Sequence, residues 1–431
     1  MGNYLKIIIR ILKRNPVFAF VIIGGFSFSL AIVLLLSSYI FSELDFDKSF
    51  PEIGRIYRLC TEKGITTFRG DLVKDLKDRY PEIERICRYE NGTSELVYNK
   101  SPYQVTNLVK TDNDFFKIFS VNILGGNIYD PLPGNNSLAI STSLARVIFG
   151  NYDPIGQTIN IQHRKVYTVT ALFEDLPGNS SINAQAVINW ENVNDLGGEW
   201  RNGIFYSRLF FLLNRKSDPQ KLEKEITQDY MQEHYIKQPF KLLPFRNSYL
   251  SPLTASATSE TLHADRRSIS LFSIVTALIL LISILNFIIL FISNHLARVK
   301  EIGIRKAAGA ERKDIFNQFI IESVTISVIA FILAIYLAIL FEAPFISLIQ
   351  KDFPALAALR FPGILFVIPG VILTGVLAGL YPAIIISNFK PATIFGNFSV
   401  RGKLRMQSGL SVIQYLISIV LIVSFMVMTR Q

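Results

Sequence analysis

The stretch Asn294–Asp314, NHLARVKEIGIRKAAGAERKD, lies between two long apolar runs, Ile269–Ile292 and Phe319–Phe341. It carries Arg298, Lys300, Arg305, Lys306, Arg312 and Lys313 against Glu301, Glu311 and Asp314. A short basic loop between two membrane spans faces the cytoplasm by the positive-inside rule. Each flanking run is about 20 residues or more, enough as a helix to cross roughly 30 Å of hydrocarbon.

Working outward, Val17–Phe41, Gly363–Ile386 and Leu410–Met428 are uncharged runs of similar length. Helices of a soluble core seldom stay apolar on every face over such a distance, so five spans are expected. The composition agrees: 50% of the 431 residues are hydrophobic and only 18% are charged. The net charge of +10 sits almost wholly in three short segments. Lys6, Arg10, Lys13 and Arg14 precede the first run, the 294–314 loop follows the second, and Lys390, Arg401, Lys403 and Arg405 precede the last. Between Ser42 and Arg267, by contrast, 27 basic residues nearly balance 28 acidic ones. The basic excess is therefore topological and does not mark a nucleic-acid binder.

The expected organisation is a cytoplasmic N-terminus and first span (1–41), an extracytoplasmic domain (42–267), a second span (268–293) and a cytoplasmic loop (294–317). A third span (318–341), a short external loop (342–362), a fourth span (363–387), a second cytoplasmic loop (388–408) and a fifth span (409–428) follow. The fold class is a membrane protein: an α-helical transmembrane bundle with a mixed α+β extracytoplasmic domain inserted between the first and second spans. The first run is too long for a cleaved signal peptide and reads as a retained anchor. Its plan, basic residues and then an apolar run, is repeated at the end of the chain. A second copy of the module is expected to begin near Gly402.

Within 42–267, Ile53–Cys60 and Ile83–Glu90 read as strands flanking an amphipathic helix at Phe68–Tyr80. Leu96–Asn99 pairs with Tyr103–Val109, and Asn113–Phe119 is a short helix. Ser137–Ile140 leads into a helix at Thr142–Phe149 capped by Ser141 or Thr142. A hairpin turns at His163-Arg164, and Phe205–Leu213 is a strong strand. Asp218-Pro219 opens a helix whose inner stripe is Leu222, Ile226 and Tyr230. Two lobes are expected, with Pro244–Asp265 as a polar tether. Cys60 and Cys87, the two cysteines, fall on strands that are potential neighbours. A disulfide is one reading; two free, half-buried thiols are the other.

Catalytic chemistry is not expected. His163, His234, His263 and His295 stand in no metal-ligand spacing, and there is no nucleophile elbow. Gly150–Thr158, GNYDPIGQT, departs from a phosphate loop in spacing and has Gln157 in place of the lysine. No metal, cofactor or nucleotide site is expected. The spans carry few ionisable groups, Glu322 and Glu342 lying near their ends, which argues against an ion-coupled transporter. Asn286 reads as a helix–helix hydrogen-bonding residue, and Gly375 and Gly379, four apart, suit either close helix packing or a tolerated kink.

The layout, together with Glu301, Ile302, Gly303, Ile304, Arg305, Lys306, Gly309 and Ala310, resembles the MacB/FtsX-type ABC transporter permeases and their EIGIRKAxGA signature. Asp314, Ile315, Gln318, Phe319 and Glu322 fit its continuation. Gly379–Ala383 with Lys390-Pro391 resembles the end of the family's fourth span, and Asn136–Ile159 is similar to the MacB-like periplasmic domain. The resemblance implies a permease subunit of the inner membrane, with the ATPase a separate cytoplasmic protein. It implies a coupling loop carried by Glu301, Gly303, Arg305, Lys306, Gly309 and Ala310, of which Arg305 and Lys306 would pair with acids of the ATPase. Further implied partners are a second permease module or a second copy, membrane lipid, and a periplasmic adaptor with an outer-membrane channel. Efflux of antimicrobial peptides or macrolide-like compounds and lipoprotein release are the implied activities. The alternatives are an FtsX-like regulator of cell-wall hydrolases and a peptide sensor.

Overall fold

The computed structural model describes residues 16–192, 199–201, 204–233, 238–255, 264–297, 299–349, 353, 356, 359, 364–387, 409 and 411–419. The chain divides into two compact units, Met1–Leu44 with Ser268–Gln431, and Asp45–Arg267.

The first unit is helical. α1 (Pro16–Leu44), α8 (Arg266–Ala297) and α10 (Arg312–Ile349) each contain a segment long and apolar enough to cross a membrane. α11 (Ile364–Ser387) is a further apolar helix of 24 residues. α10 outruns the apolar segment at both ends and passes through Pro344. Of the fifth run, 411–419 is helical and the remainder beyond 419 lies outside the described residues, as do the second cytoplasmic loop 388–408 and residues 1–15.

One core joins Ile22, Phe26 and Leu30 of α1 to Phe287 and Phe291 of α8 and to Phe319 and Ile326 of α10. Ser323, Ser327, Ala330, Ala334 and Ala338 form a stripe of small buried residues on α10. Part of that stripe receives α11. A Cβ on Gly375 would stand 3.0 Å from Ser327 Oγ and from Val324 Cα. A Cβ on Gly379 would stand 2.7 Å from Ser323 Cβ. Ser323 Oγ donates to the Gly375 carbonyl. The two glycines therefore serve close packing, the mode by which helices associate without a hydrophobic driving force in lipid.

The second unit is built on one twelve-stranded sheet. β1 (Ile56–Thr61), α2 (Leu72–Arg79) and β3 (Ile83–Tyr98) form one half of a split β-α-β lobe. β11 (Ile204–Leu213), α5 (Pro219–Gln232) and β12 (Phe240–Pro244) form the other half. The order is β12-β1-β11-β3, antiparallel throughout. Leu72 and Leu76 of α2 and Leu222, Ile226 and Tyr230 of α5 bury one face of it. The helices are tied to each other by Tyr80 Oη donating to Asp229 (2.7 Å) and Tyr230 Oη donating to Asp75.

The second lobe is inserted between β3 and β11. β4 (Ser101–Thr111), β6 (Ser137–Ser141), β7 (Thr158–Ile161), β8 (Lys165–Phe173) and β9 (Ala186–Asn189) close with the far end of β3 into a ring ordered β3-β4-β9-β6-β8-β7. Its core holds Leu96, Val105, Leu138, Ile159, Tyr167 and Ile188, covered by α4 (Thr142–Phe149). The lobes share β3, which runs unbroken past a bulge at Gly92–Ser94 where the sequence pattern reads two strands. The β7–β8 hairpin turns through Gln162, His163 and Arg164, with Gln162 and His163 at positive φ and Arg164 N donating to Ile161 O (3.0 Å).

Two expectations are corrected here. Pro244–Asp265 is not a simple tether: Phe245 and Tyr249 are buried, and two short helices, α6 (Phe245–Ser248) and α7 (Pro252–Ala255), follow β12. The strands bearing Cys60 and Cys87 are not neighbours, because β11 runs between β1 and β3. Phe210 of β11 pairs with Arg58 on one side and Cys87 on the other. Two strand spacings put the thiol-bearing backbones about 10 Å or more apart, beyond disulfide reach. Both cysteines are free and buried, and burial pushes the Cys60 thiol up to about 11 and the Cys87 thiol well above its ordinary value. Neither is a reactive thiolate.

Local capping is strong. Ser141 Oγ accepts from Leu144 N at the start of α4, and Asp218 accepts from Gln220 N and Lys221 N at the start of α5. Asp175 adds a cap from outside the helix, accepting from Thr142 Oγ1 (2.6 Å), Ser143 Oγ (2.7 Å) and Ser143 N. Partial burial pushes its carboxyl up, but hydrogen bonds from Thr142 and Ser143 outweigh this and hold it below the ordinary value of 3.8. A lowered carboxyl stabilises the fold above its unfolded pKa and stops doing so as pH falls through the folded value. Asp175→Ala is expected to cost about 0.5–2 kcal/mol near neutral pH. Denaturant melts of variant and wild type should converge below the folded pKa of Asp175.

Candidate coupling site

The basic stretch between α8 and α10 folds as a short helix, α9 (Val299–Ala307), followed by a turn. The turn closes with Gly309 N donating to Lys306 O (3.1 Å) and Ala310 N donating to Arg305 O (3.0 Å). This is the Schellman pattern, and it needs a left-handed residue just past the helix. Gly309 supplies it at φ +98°, while a Cβ there would meet nothing within 4 Å. The glycine is thus required by backbone conformation and not by a close approach within the chain.

α10 starts at once. Asp314 Oδ2 accepts from Glu311 N (3.1 Å), so the third residue of the helix reaches back to its cap. Arg305 Nη1 donates to Gln318 Oε1 (3.3 Å), tying α9 to the first turns of α10. Gly303 is buried, Arg305 and Lys306 are half-buried, and Gly309 is exposed. Desolvation and then the neighbouring Arg312 lower the pKa of Lys306. Glu301 lies on α9, and the side chains of 294–302 lie outside the described residues. Ala310 is half-buried at the turn.

The structure adds two features to the residues singled out from sequence. Ile304 is 60% exposed on α9, an apolar side chain among cations. Glu311, Arg312, Lys313 and Asp314 are all exposed beside it. The helical period of EIGIRK carries the signal for Ile304, since it rotates Gly303 inward and Ile304 outward. Among the described residues, a basic surface with Ile304 as an exposed apolar anchor, held by a helix stop and a capped restart, is suited to docking a protein. In the other unit, an open groove of about 940 Å³ is walled by charges that pair locally, with Arg55 joined to Glu52 and Glu84.

The MacB-like periplasmic core domain matches residues 19–229, and the FtsX-like permease C-terminal domain matches residues 273–391. The chain belongs to the MacB/FtsX-type ABC transporter permeases. Among curated relatives, macrolide export ATP-binding/permease protein MacB 2 of Aeromonas hydrophila is 24% identical over 304 residues, 69% of this chain and 42% of the relative. MacB of Pasteurella multocida is 27% identical over 324 residues, 73% of this chain and 46% of the relative. The pyoverdine export protein PvdT of Pseudomonas syringae is 26% identical over 320 residues, 70% and 44%. This permease chain thus spans less than half the length of these relatives. Among solved structures, a domain of a putative permease protein from Porphyromonas gingivalis has a TM-score of 0.40 at 24% identity, covering 46% of this chain and 93% of that one. The periplasmic region of MacB from Actinobacillus actinomycetemcomitans has 0.37 at 15%, covering 44% and 90%. The membrane bundle and the mixed α/β domain described above are the two parts of such a permease, and the MacB relatives are named ATP-binding/permease proteins.

Proposed function

We propose that this chain is a permease subunit that receives ATP-driven movement from a separate cytoplasmic ATPase through α9 and passes it to the periplasmic domain. The observation that carries this reading is the rigid, basic α9 turn, stopped by Gly309 and tied by Arg305 to Gln318 of α10. A push on such an element moves a membrane helix instead of being lost in a flexible loop. Arg305 and Lys306 meet acids of the ATPase, Ile304 enters an apolar hollow, and Glu301 completes the contact.

The N-terminus and the 294–317 loop are then cytoplasmic, and 42–267 lies in the periplasm of an inner-membrane protein. A second permease module or a second copy completes the assembly. The cargo is released or exported on the periplasmic side, with peptide antibiotics, macrolide-like compounds and lipoproteins as the classes to test. A periplasmic adaptor and outer-membrane channel would serve the export case.

Co-purification with the ATPase tests the docking. Arg305→Glu should weaken association roughly 30-fold or more, since reversing a buried interfacial charge costs about 2 kcal/mol or more. Glu301→Ala should lower coupled ATPase activity. Unchanged association and activity in both variants would sink the reading.

A further inference from the structure

The chain leaves α1 at Leu44 and within five residues is fastened to a segment 130 positions away. The Asp47 carboxylate accepts from Ser180 Oγ (2.9 Å), Ser181 N (2.6 Å) and Ser181 Oγ (2.7 Å). Its own backbone N–H donates to Asn179 O (2.9 Å). Ser49 Oγ donates to Asn179 Oδ1 (3.4 Å), and Asn179 Nδ2 donates to Asp45 O (3.4 Å). Asp47 is fully buried and sits at φ +62°, a conformation that side chains other than glycine hold only when their surroundings impose it.

Residues that lead back to α8 join the same knot. The Phe46 ring stacks on Tyr249 with centroids 3.8 Å apart and planes 18° apart. The Tyr249 carbonyl accepts from Ala264 N (3.0 Å), two residues before α8 begins. Tyr249 is itself buried. The residues that follow α1 and the residues that precede α8 are therefore held together through Tyr249, while Asp47 fastens them to 179–181. That segment links β8 to β9, two strands of the ring lobe.

We infer that this knot is the joint through which displacement of the membrane helices reaches the ring lobe, with Asp47 its positioning residue. The inference rests on the permease reading. Six polar contacts, three of them to the buried Asp47 carboxylate, transmit a displacement that a solvated linker would absorb. Through Ser180 and Ser181 they carry it to the segment between β8 and β9 of the ring lobe.

The test uses the full chain with its co-purified ATPase in lipid nanodiscs, and follows hydrogen exchange with and without ADP-vanadate. At rest, the Ser181 amide should exchange roughly tenfold faster in Asp47→Ala, the loss of one buried charged acceptor. Wild type should show a nucleotide-dependent change in exchange across β6, α4 and β9. In Asp47→Ala the ATPase should still bind and hydrolyse ATP while that change disappears. Ser181→Ala and Asp47→Asn, milder changes, should each lose part of it and serve if Asp47→Ala does not fold. A full wild-type response in these variants overturns the joint and leaves the permease reading standing. A wild type with no nucleotide-dependent change overturns the permease reading and the joint with it.

Discussion

Gly379→Leu should separate α11 from α10 and sharply lower the thermal stability of the membrane unit in detergent. Even a methyl group at Gly379 would overlap Ser323 Oγ and stand 2.7 Å from Ser323 Cβ. Neither atom can retreat freely, because Ser323 is fully buried and its hydroxyl is engaged with the Gly375 carbonyl. Overpacking of this kind costs about 1–3 kcal/mol for a small excess and more for a leucine. The Ser323 hydrogen bond adds about 1 kcal/mol when the helices part. A paired experiment isolates the contact. Gly379→Ala should be destabilising by itself, and Ser323→Gly in the same chain should recover most of the loss, a coupling expected only for residues in contact. Independent, additive effects of the two substitutions would show that α11 does not pack on Ser323.

The other large effect is expected at Phe210. Its ring is 1% exposed and lies 5.7 Å from Tyr89, 5.5 Å from Phe119 and 5.5 Å from Phe245, centroid to centroid. The Arg58 guanidinium lies over the ring, 5.9 Å from its centre. Phe210→Ala would empty the middle of the core beneath the split β-α-β lobe, at about 3–5 kcal/mol. It would also strip the apolar support from Arg58, itself 2% exposed, whose guanidinium pKa burial and then Arg208 already push down. The periplasmic unit should unfold roughly 6–20 °C earlier. Val166→Ala, at a half-exposed position on β8, is the matched control and should leave the transition in place. A Phe210→Ala transition within a degree or two of wild type would contradict the packing described here.

The candidate coupling site was legible in part. Charge alone led to the expectation of a cytoplasmic loop at 294–314, and the resemblance singled out its inner residues. What the residues could not display was the division of labour among them. Gly309 proves to be a helix stop, Gly303 faces inward, and Ile304 faces outward between the cations. A charge pattern reports sidedness but carries no information on which face of a nine-residue helix a neighbouring helix covers.

The sequence by itself determined the features whose physics is local. Apolar runs of bilayer length are membrane helices whatever packs beside them. Ser141 and Asp218 cap their helices because the donors they satisfy lie two or three residues away. The stripe of Leu222, Ile226 and Tyr230 is buried as its spacing requires. Only the tertiary structure decided which strands meet. β11 lies between β1 and β3 although more than a hundred residues separate it from either, and this keeps Cys60 from Cys87. β3 runs on through a bulge to serve both lobes, and β9 and β12 have no sequence period strong enough to announce them. The Asp47 knot and the seat of Gly379 on Ser323 belong to the same class. Each joins groups far apart in the chain, and such pairings are selected by burying a whole sheet or helix face at once, a quantity that no short window of sequence contains.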